Sequence, residues 1–422
     1  MGRWMARLAA GILVAAAACG LFAVLRGVPP VADHPVSRDP AVIAAGRYLA
    51  AAGDCASCHT AEGGEALAGG RPLATPFGTI YAANITPDPK TGIGRMSSAQ
   101  FYQLVAYGAD GLAAPLYPAM PYTSFHLLTR ADSDALFAYL MSVPAVERPA
   151  RPDEMRFPFN LRPLMFGWNF LFATRRPFEA DAKKDATWNR GAYLVEGLGH
   201  CGECHTPRNA FGAMEQSRAL QGAVVNRLEA PDITAPALAA RGWTREDLVL
   251  FFAAGASPRG SAFGDMFLAI KNSLRLLTPD DQVAIATYLL DGDATAPGKG
   301  EGAVTALGRK AHENRAGQAL YLSNCSLCHG PDGQGVPGTM PRLKGNATLS
   351  QPDGFNLIRV MADGIDPQRM SLTQGYGPMP AFRDRLSPAQ LADLSNYLRS
   401  AFAIRPDDLP PLSEEDVKRI LR

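Results

Sequence analysis

The chain has 422 residues, 47% of them apolar, with 41 glycines and 34 prolines. That length allows two to four domains, and the glycine and proline content points to small, loop-rich units. Formal net charge is +1, falling to −2 without the three arginines of residues 1–26, and no basic block or stripe appears. Nucleic acid is therefore not an expected partner.

Residues 1–27 read as an export segment, either a signal peptide or an N-terminal membrane anchor. Arg3 and Arg7 precede an uncharged apolar run, Leu8–Leu25. The run is long for the apolar part of a signal peptide and nearly long enough to span a bilayer. Arg26 follows directly, without a clean A-x-A cleavage site, so a retained anchor is favoured over cleavage. The positive-inside rule then places everything after Val28 on the outer face of the bacterial inner membrane, the periplasmic side. No later segment is long and apolar enough to span.

Residues 38–144 form a first block. It opens with a short helical pattern, AAGRYLAAAGDC, carrying Gly46 and Tyr48, and continues into CASCH with Cys55, Cys58 and His59. Met120, in YPAMPY, follows 61 residues after His59. The block closes with LTRADSDALFAYL, where Thr129 is an N-cap and Asp132 stands three residues on. Residues 145–186 are a linker, AVERPARPDEMRFPF and beyond. It contains an aromatic stretch, Phe157–Phe178, edged by Arg156, Arg162, Arg175 and Arg176. Its prolines argue against spanning a membrane. Packing between the first two blocks is the preferred reading; contact with a membrane surface or a partner is the other.

The second block, 187–292, repeats the order. NRGAYLVEGLGHC carries Gly191 and Tyr193, and CGECH carries Cys201, Cys204 and His205. Met266, in FGDMF, again lies 61 residues past the histidine, and LTPDDQVAIATYL begins with Thr278, Pro279 and, at the third helical position, Asp281. Residues 293–312 are a second linker. The third block, 313–403, has Gly317 and Tyr321, then CSLCH with Cys325, Cys328 and His329. Met379, in GPMPAF, follows 50 residues after His329, and LSPAQLADLSNYL starts from Ser387, Pro388 and Gln390. The repeated glycines and the closing tyrosines, Tyr139, Tyr288 and Tyr397, read as packing residues that let the first and last helices of each block approach. The tail, 404–422, carries a helix-capping pattern from Ser413.

Six of the seven cysteines thus fall in three C-x-x-C-H copies; Cys19 lies in the leader. Two thiols one helical turn apart can add to the two vinyl groups of one haem, and the next residue then reaches the iron. A zinc site needs four ligands, usually from two such knuckles brought together, which three distant pairs do not supply. Disulfides would leave the histidine after every pair unexplained. Three covalently bound haem c groups are the expected cofactors, with His59, His205 and His329 as proximal iron ligands. A methionine recurring in register before the last helix suits the sixth position, which points to Met120, Met266 and Met379. Met340, eleven residues past His329, reads instead as lid or surface. Iron bound on both faces favours electron transfer over oxygen or peroxide chemistry, and no dinucleotide fingerprint, P-loop or substrate-oxidising site appears in the chain. The expected fold is all-α: three tandem cytochrome c-like domains, each wrapped around one haem that supplies its missing apolar centre.

At GGRPLATPFGTIYAANITPDPKTGIG (Gly69–Gly94), YPAMPY, WNRGAYLVEGLGHCGECHTPRN (Trp188–Asn209), APDIT (Ala230–Thr234) and NCSLCHG with PRLKGN, the chain resembles a known family. It is similar to the three-haem cytochrome c subunits of membrane-bound alcohol dehydrogenases and of related gluconate and sugar-alcohol dehydrogenases. The resemblance implies a partner dehydrogenase subunit, a quinoprotein, flavoprotein or molybdoprotein, that oxidises the substrate. It also implies ubiquinone or a terminal oxidase as acceptor, at the membrane. Related three-haem subunits serve molybdenum hydroxylases of aldehydes or N-heterocycles, so that donor is an alternative. A free-standing or oxidase-linked periplasmic carrier is another.

Overall fold

The computed structural model describes residues 28–109, 115–173, 176–291, 313–366 and 376–422. The leader, 1–27, and the whole of the linker 293–312 lie outside the described residues. The chain divides into two compact units: residues up to Ala180 with Glu196–His200, and Asp181–Val195 with Cys201–Arg422.

In the first unit, Asp39 starts α1 (Pro40–Ala52). Its carboxylate accepts from the Ala41 N–H at 2.8 Å, and Pro40 takes the first helical position. α2 (Cys55–His59) follows almost at once. Next come α3 (Ser98–Tyr107), the single turn α4 (Tyr122–Phe125) and α5 (Arg130–Leu140). α5 begins at Thr129, whose hydroxyl accepts from the Asp132 N–H as the sequence predicts. α1 and α5 cross at Gly46. A Cβ there would lie 1.9 Å from the Ala135 carbonyl oxygen and 2.8 Å from the Tyr139 Cβ, so only glycine lets the two backbones meet.

The expectation of an all-α chain needs correction. It is mostly helical, but β1 (Pro72–Thr75) and β2 (Gly78–Tyr81) form an antiparallel hairpin, Pro72 opposite Tyr81, and β3 (Glu154–Met155) adds to its edge. Gly78 adopts φ 140°, and a Cβ on it would stand 2.4 Å from the Glu154 carbonyl oxygen. Glycine therefore permits both the turn and the third strand. Beyond the hairpin, α6 (Leu164–Phe172) lays Met165, Trp168 and Asn169 on the unit's core. Asn169 Oδ1 accepts from the buried Tyr122 hydroxyl at 2.7 Å, and the Trp168 ring meets Tyr122 edge-on. The stretch Phe157–Phe178 is thus fastened within the first unit by its Trp168 side.

In the second unit, Asp185 caps α7 (Ala186–Ala192). α8 (Gly202–His205), α9 (Ala235–Ala240), α10 (Arg245–Ala254), α11 (Gly264–Asn272) and α12 (Pro279–Leu289) follow. Two short hairpins stand among them, β4 (Ala223–Val225) with β5 (Leu228–Ala230) and β6 (Ala256–Ser257) with β7 (Gly260–Ser261). α7 crosses α12 where Gly191 lies against Ala284 and Tyr288. The third repeat has α13 (Arg315–Asn324), α14 (Ser326–His329), α15 (Phe355–Asp363) and α16 (Pro388–Phe402). Here Gly317 meets Asp393 and Tyr397, the same crossing a third time.

The tail is part of this core. α17 (Glu414–Leu421) opens with a capping box between Ser413 and Asp416 and buries Val417 and Ile420 in the same apolar cluster as Leu391, Leu394 and Tyr397. Arg399 ties the tail down from inside, donating to the carbonyls of Pro410 (2.7 Å) and Pro352 (2.8 Å). The second and third repeats share hydrogen bonds as well, one pair through the Asn356 side chain and one between backbones. Asn356 exchanges a hydrogen-bond pair with Glu229, and Ala347 N–H donates to the Arg259 carbonyl at 2.7 Å.

Candidate functional site

Each C-x-x-C-H motif folds as one short helical turn: α2, then Cys201 with α8, then Cys325 with α14. Residues three apart share a helix face, so each pair of thiols points to one side and the histidine follows at its edge. The six cysteines are not joined in disulfides. Burial pushes the Cys55 and Cys201 thiols up to about 12 and Cys325 to about 11, so they are protonated at neutral pH. Among the described residues, no group of three or more His, Cys, Asp or Glu side chains is placed to hold a metal ion.

The histidines share one arrangement. Nδ1 of His59 lies 2.7 Å from the Ala83 carbonyl, Nδ1 of His205 2.7 Å from that of Pro231, and Nδ1 of His329 2.9 Å from that of Pro341. A carbonyl oxygen only accepts, so Nδ1 carries the proton and Nε2 presents a lone pair. Burial holds all three imidazoles below their usual range, which keeps them neutral. A neutral imidazole with its far nitrogen anchored is what an iron ligand needs.

Sequence reasoning missed these three carbonyls. Two of them precede the same local device. Asn84 Oδ1 accepts from the N–H (2.9 Å) and hydroxyl (2.8 Å) of Thr86, and Asp232 Oδ1 does the same for Thr234 (2.8 and 2.7 Å). The Asx turn sets the chain direction just after the carbonyl that holds the histidine. The readable signal was the recurrence of N/D-I-T in AANIT and APDIT.

The methionines divide. Met120 sits between Pro118 and Pro121 in a loop held by two backbone bonds, Met120 N–H to the Tyr117 carbonyl and Tyr122 N–H to the Met120 carbonyl. Met379 forms a two-way bridge with Ile365, at 2.9 and 3.1 Å, half-buried on the third core. Gly364, at φ 74°, allows that bridge, since a Cβ would stand 2.5 Å from the Met379 carbonyl oxygen. Met266, expected in a loop before the last helix like the other two, instead lies in the first turn of α11. Without flanking prolines, the segment is free to start a helix there. Met340, read as lid or surface, reaches toward the Met379 loop: its Cε lies 3.2 Å from where a Cβ on Gly377 would be.

Comparison with known proteins adds the family. A cytochrome c family model matches residues 43–144 and 315–402. The chain is 36% identical to the cytochrome c subunit of a quinone alcohol dehydrogenase from Gluconobacter oxydans, over 92% of this chain and 83% of that one. It is 36% identical to a gluconate 2-dehydrogenase cytochrome c subunit from Pantoea cypripedii, over 86% of each. The chain belongs to the family of cytochrome c subunits of dehydrogenases. This cytochrome is also 43% identical to a nicotinate dehydrogenase subunit of Pseudomonas putida, over 89% of its own length. It spans only about a third of that relative, 32%.

The residues fit the group that a cytochrome c carries. Paired thiols on one turn, a neutral imidazole beside them with Nε2 unprotonated, and a backbone anchor on Nδ1 make up a haem c attachment turn.

Proposed function

We propose that this cytochrome carries three haem c groups and passes electrons from a partner dehydrogenase to ubiquinone or the respiratory chain. Cys55 and Cys58, Cys201 and Cys204, and Cys325 and Cys328 would hold the groups by thioether bonds. His59 with Met120, His205 with Met266, and His329 with Met379 would ligate the three irons, in domains spanning 38–144, 187–292 and 313–403. The observation that carries this reading is the threefold recurrence of an imidazole held at Nδ1 by a backbone carbonyl directly after two thiols on one turn.

Bound haem supplies one-electron cycling between ferrous and ferric iron. The chain's part would be to orient each imidazole and to offer a thioether sulfur as the second protein ligand of each iron. With two protein ligands on each iron, substrate chemistry would fall to a partner chain. An alcohol or sugar-acid dehydrogenase is the first candidate, on the identity to alcohol and gluconate dehydrogenase cytochromes over most of both chains. A dehydrogenase of an N-heterocycle such as nicotinate is the second reading, favoured by the higher identity to the nicotinate dehydrogenase relative. The export segment supports a site of action at the outer face of the inner membrane.

Mild-detergent purification from native membranes tests this. The purified material is scored for a copurifying dehydrogenase and for haem reduction by alcohols, sugar acids, aldehydes and nicotinate. A stoichiometric partner and one reducing substrate class would establish the reading and name the donor. A lone three-haem chain that no substrate reduces would make it a free-standing carrier.

A further inference from the structure

α6 is apolar all round, LMFGWNFLF, yet only one side of it is covered. Met165, Trp168 and Asn169 face the core, while Leu164 is 49% and Leu171 68% exposed. Just before the helix, Phe157 is 79% and Leu161 46% exposed. Among the described residues of the first unit, six of the seven exposed large apolar side chains fall between Phe157 and Leu171. A helix with apolar residues on every side belongs in a core or against lipid. This one has half of each.

Charge narrows the occupant. From Met155 to Phe178 the chain has four arginines and no carboxylate. Arg156 and Arg176 are exposed at either end of the apolar stretch. An apolar face rimmed by arginines matches anionic headgroups above acyl chains. Nine helical residues span only ~14 Å, too short to cross a bilayer, so the helix would lie in the plane of the interface. Position agrees. Directly after the leader's apolar run, the chain is fastened to the first unit: Gln103 Nε2 donates to the Pro29 carbonyl at 2.9 Å and Arg130 to that of Ala32 at 2.8 Å. If the leader is retained as an anchor, the first unit is held within a few residues of the membrane.

We infer that the uncovered face of α6, with Phe157 and Leu161 before it, beds the first unit into an anionic phospholipid surface. The inference rests on the membrane-association reading above and adds the surface that makes the contact. No part of it concerns the haems.

The test is site-directed photo-crosslinking of the full haem-loaded chain in its native membranes. Leu171→p-benzoylphenylalanine and Leu164→p-benzoylphenylalanine are the probes, and Leu250→p-benzoylphenylalanine, exposed in α10, is the comparison. Phospholipid adducts at positions 164 and 171, enriched for anionic headgroups, are expected by mass spectrometry, with none at 250. Adding Arg156→Glu and Arg176→Glu to the Leu171 probe should cut the lipid adduct severalfold while haem content is unchanged. Adducts to a dehydrogenase chain, no adducts at all, or equal lipid adducts at 250 would each overturn the inference and leave the electron-transfer reading intact. Recovery of the chain wholly in the soluble fraction would remove the membrane-association reading along with it.

Discussion

Gly191 and Ala284 meet backbone to backbone: a Cβ on Gly191 would lie 2.0 Å from the Ala284 carbonyl oxygen and 2.7 Å from the Tyr288 Cβ. Neither neighbour is the end of a flexible side chain, so neither can yield cheaply. Gly191→Ala should push α7 off α12 and destabilise the protein by about 1–3 kcal/mol. Gly167→Ala makes the contrast, since nothing lies within 4 Å of a Cβ there. That change should stabilise α6 slightly, by about 0.5–1 kcal/mol. Thermal melts of the two variants beside the parent check both signs; equal melting for Gly191→Ala would disprove the tight crossing.

Met379 is presented from a backbone bridged on both sides to Ile365. Met379→Ala should therefore leave the fold and three covalent haems in place while lowering one of the three potentials, because a thioether ligand favours the ferrous state. Redox titration with a haem count reads this. Three unchanged potentials would remove Met379 as a ligand.

Trp168 and Phe170 are neighbours in sequence with different tasks. Trp168 is buried on Tyr122, whereas Phe170 is 43% exposed. Trp168→Ala should cost about 3–5 kcal/mol through the cavity it leaves. Phe170→Ala should stay within about 1 kcal/mol. Chemical denaturation separates the two, and similar losses for both would contradict the buried-face assignment.

Glu229 is the carboxyl of the second unit that pH should find. Burial, with Asp353 and Asp232 adding to it against Arg241, raises it from 4.5 to about 7, and its Oε2 has no hydrogen-bond partner. The folded state then binds a proton that the unfolded chain has released between those values. Stability is full below pH 4.5 and falls as pH rises through 7. The carboxyl is partly solvated, so the loss should be about 1 kcal/mol. Glu229→Gln should flatten this slope and melt higher than the parent at pH 8. A parent whose melting temperature does not decline over that range would contradict the raised carboxyl.

Much of the site was legible because its chemistry needs fixed spacing. Two cysteines and a histidine on one turn cannot be moved apart in sequence, and the caps at Thr129, Thr278 and Ser387 are set by local bonding. What escaped lacks such a constraint. Strands of two to four residues, as in β3 or β6, are too short to show an alternating pattern. Any residue can supply a carbonyl, so Ala83, Pro231 and Pro341 carry no side-chain signature of their role. Met266 shares the spacing of Met120 but not its prolines, and spacing alone does not distinguish a loop from a helix start. The aromatic stretch looked uniform because composition does not reveal which side of a helix is covered; the Tyr122–Asn169 bond decides that.

The three carbonyls that hold the histidines have no proton to gain or lose. A carboxylate in their place would titrate, and the basicity of the ring, with the electron affinity of any metal it bound, would drift as the medium acidified. Ala83, Pro231 and Pro341 instead offer a partner whose charge never changes. An imidazole held in this way would keep its basicity constant while the acidity around it varies.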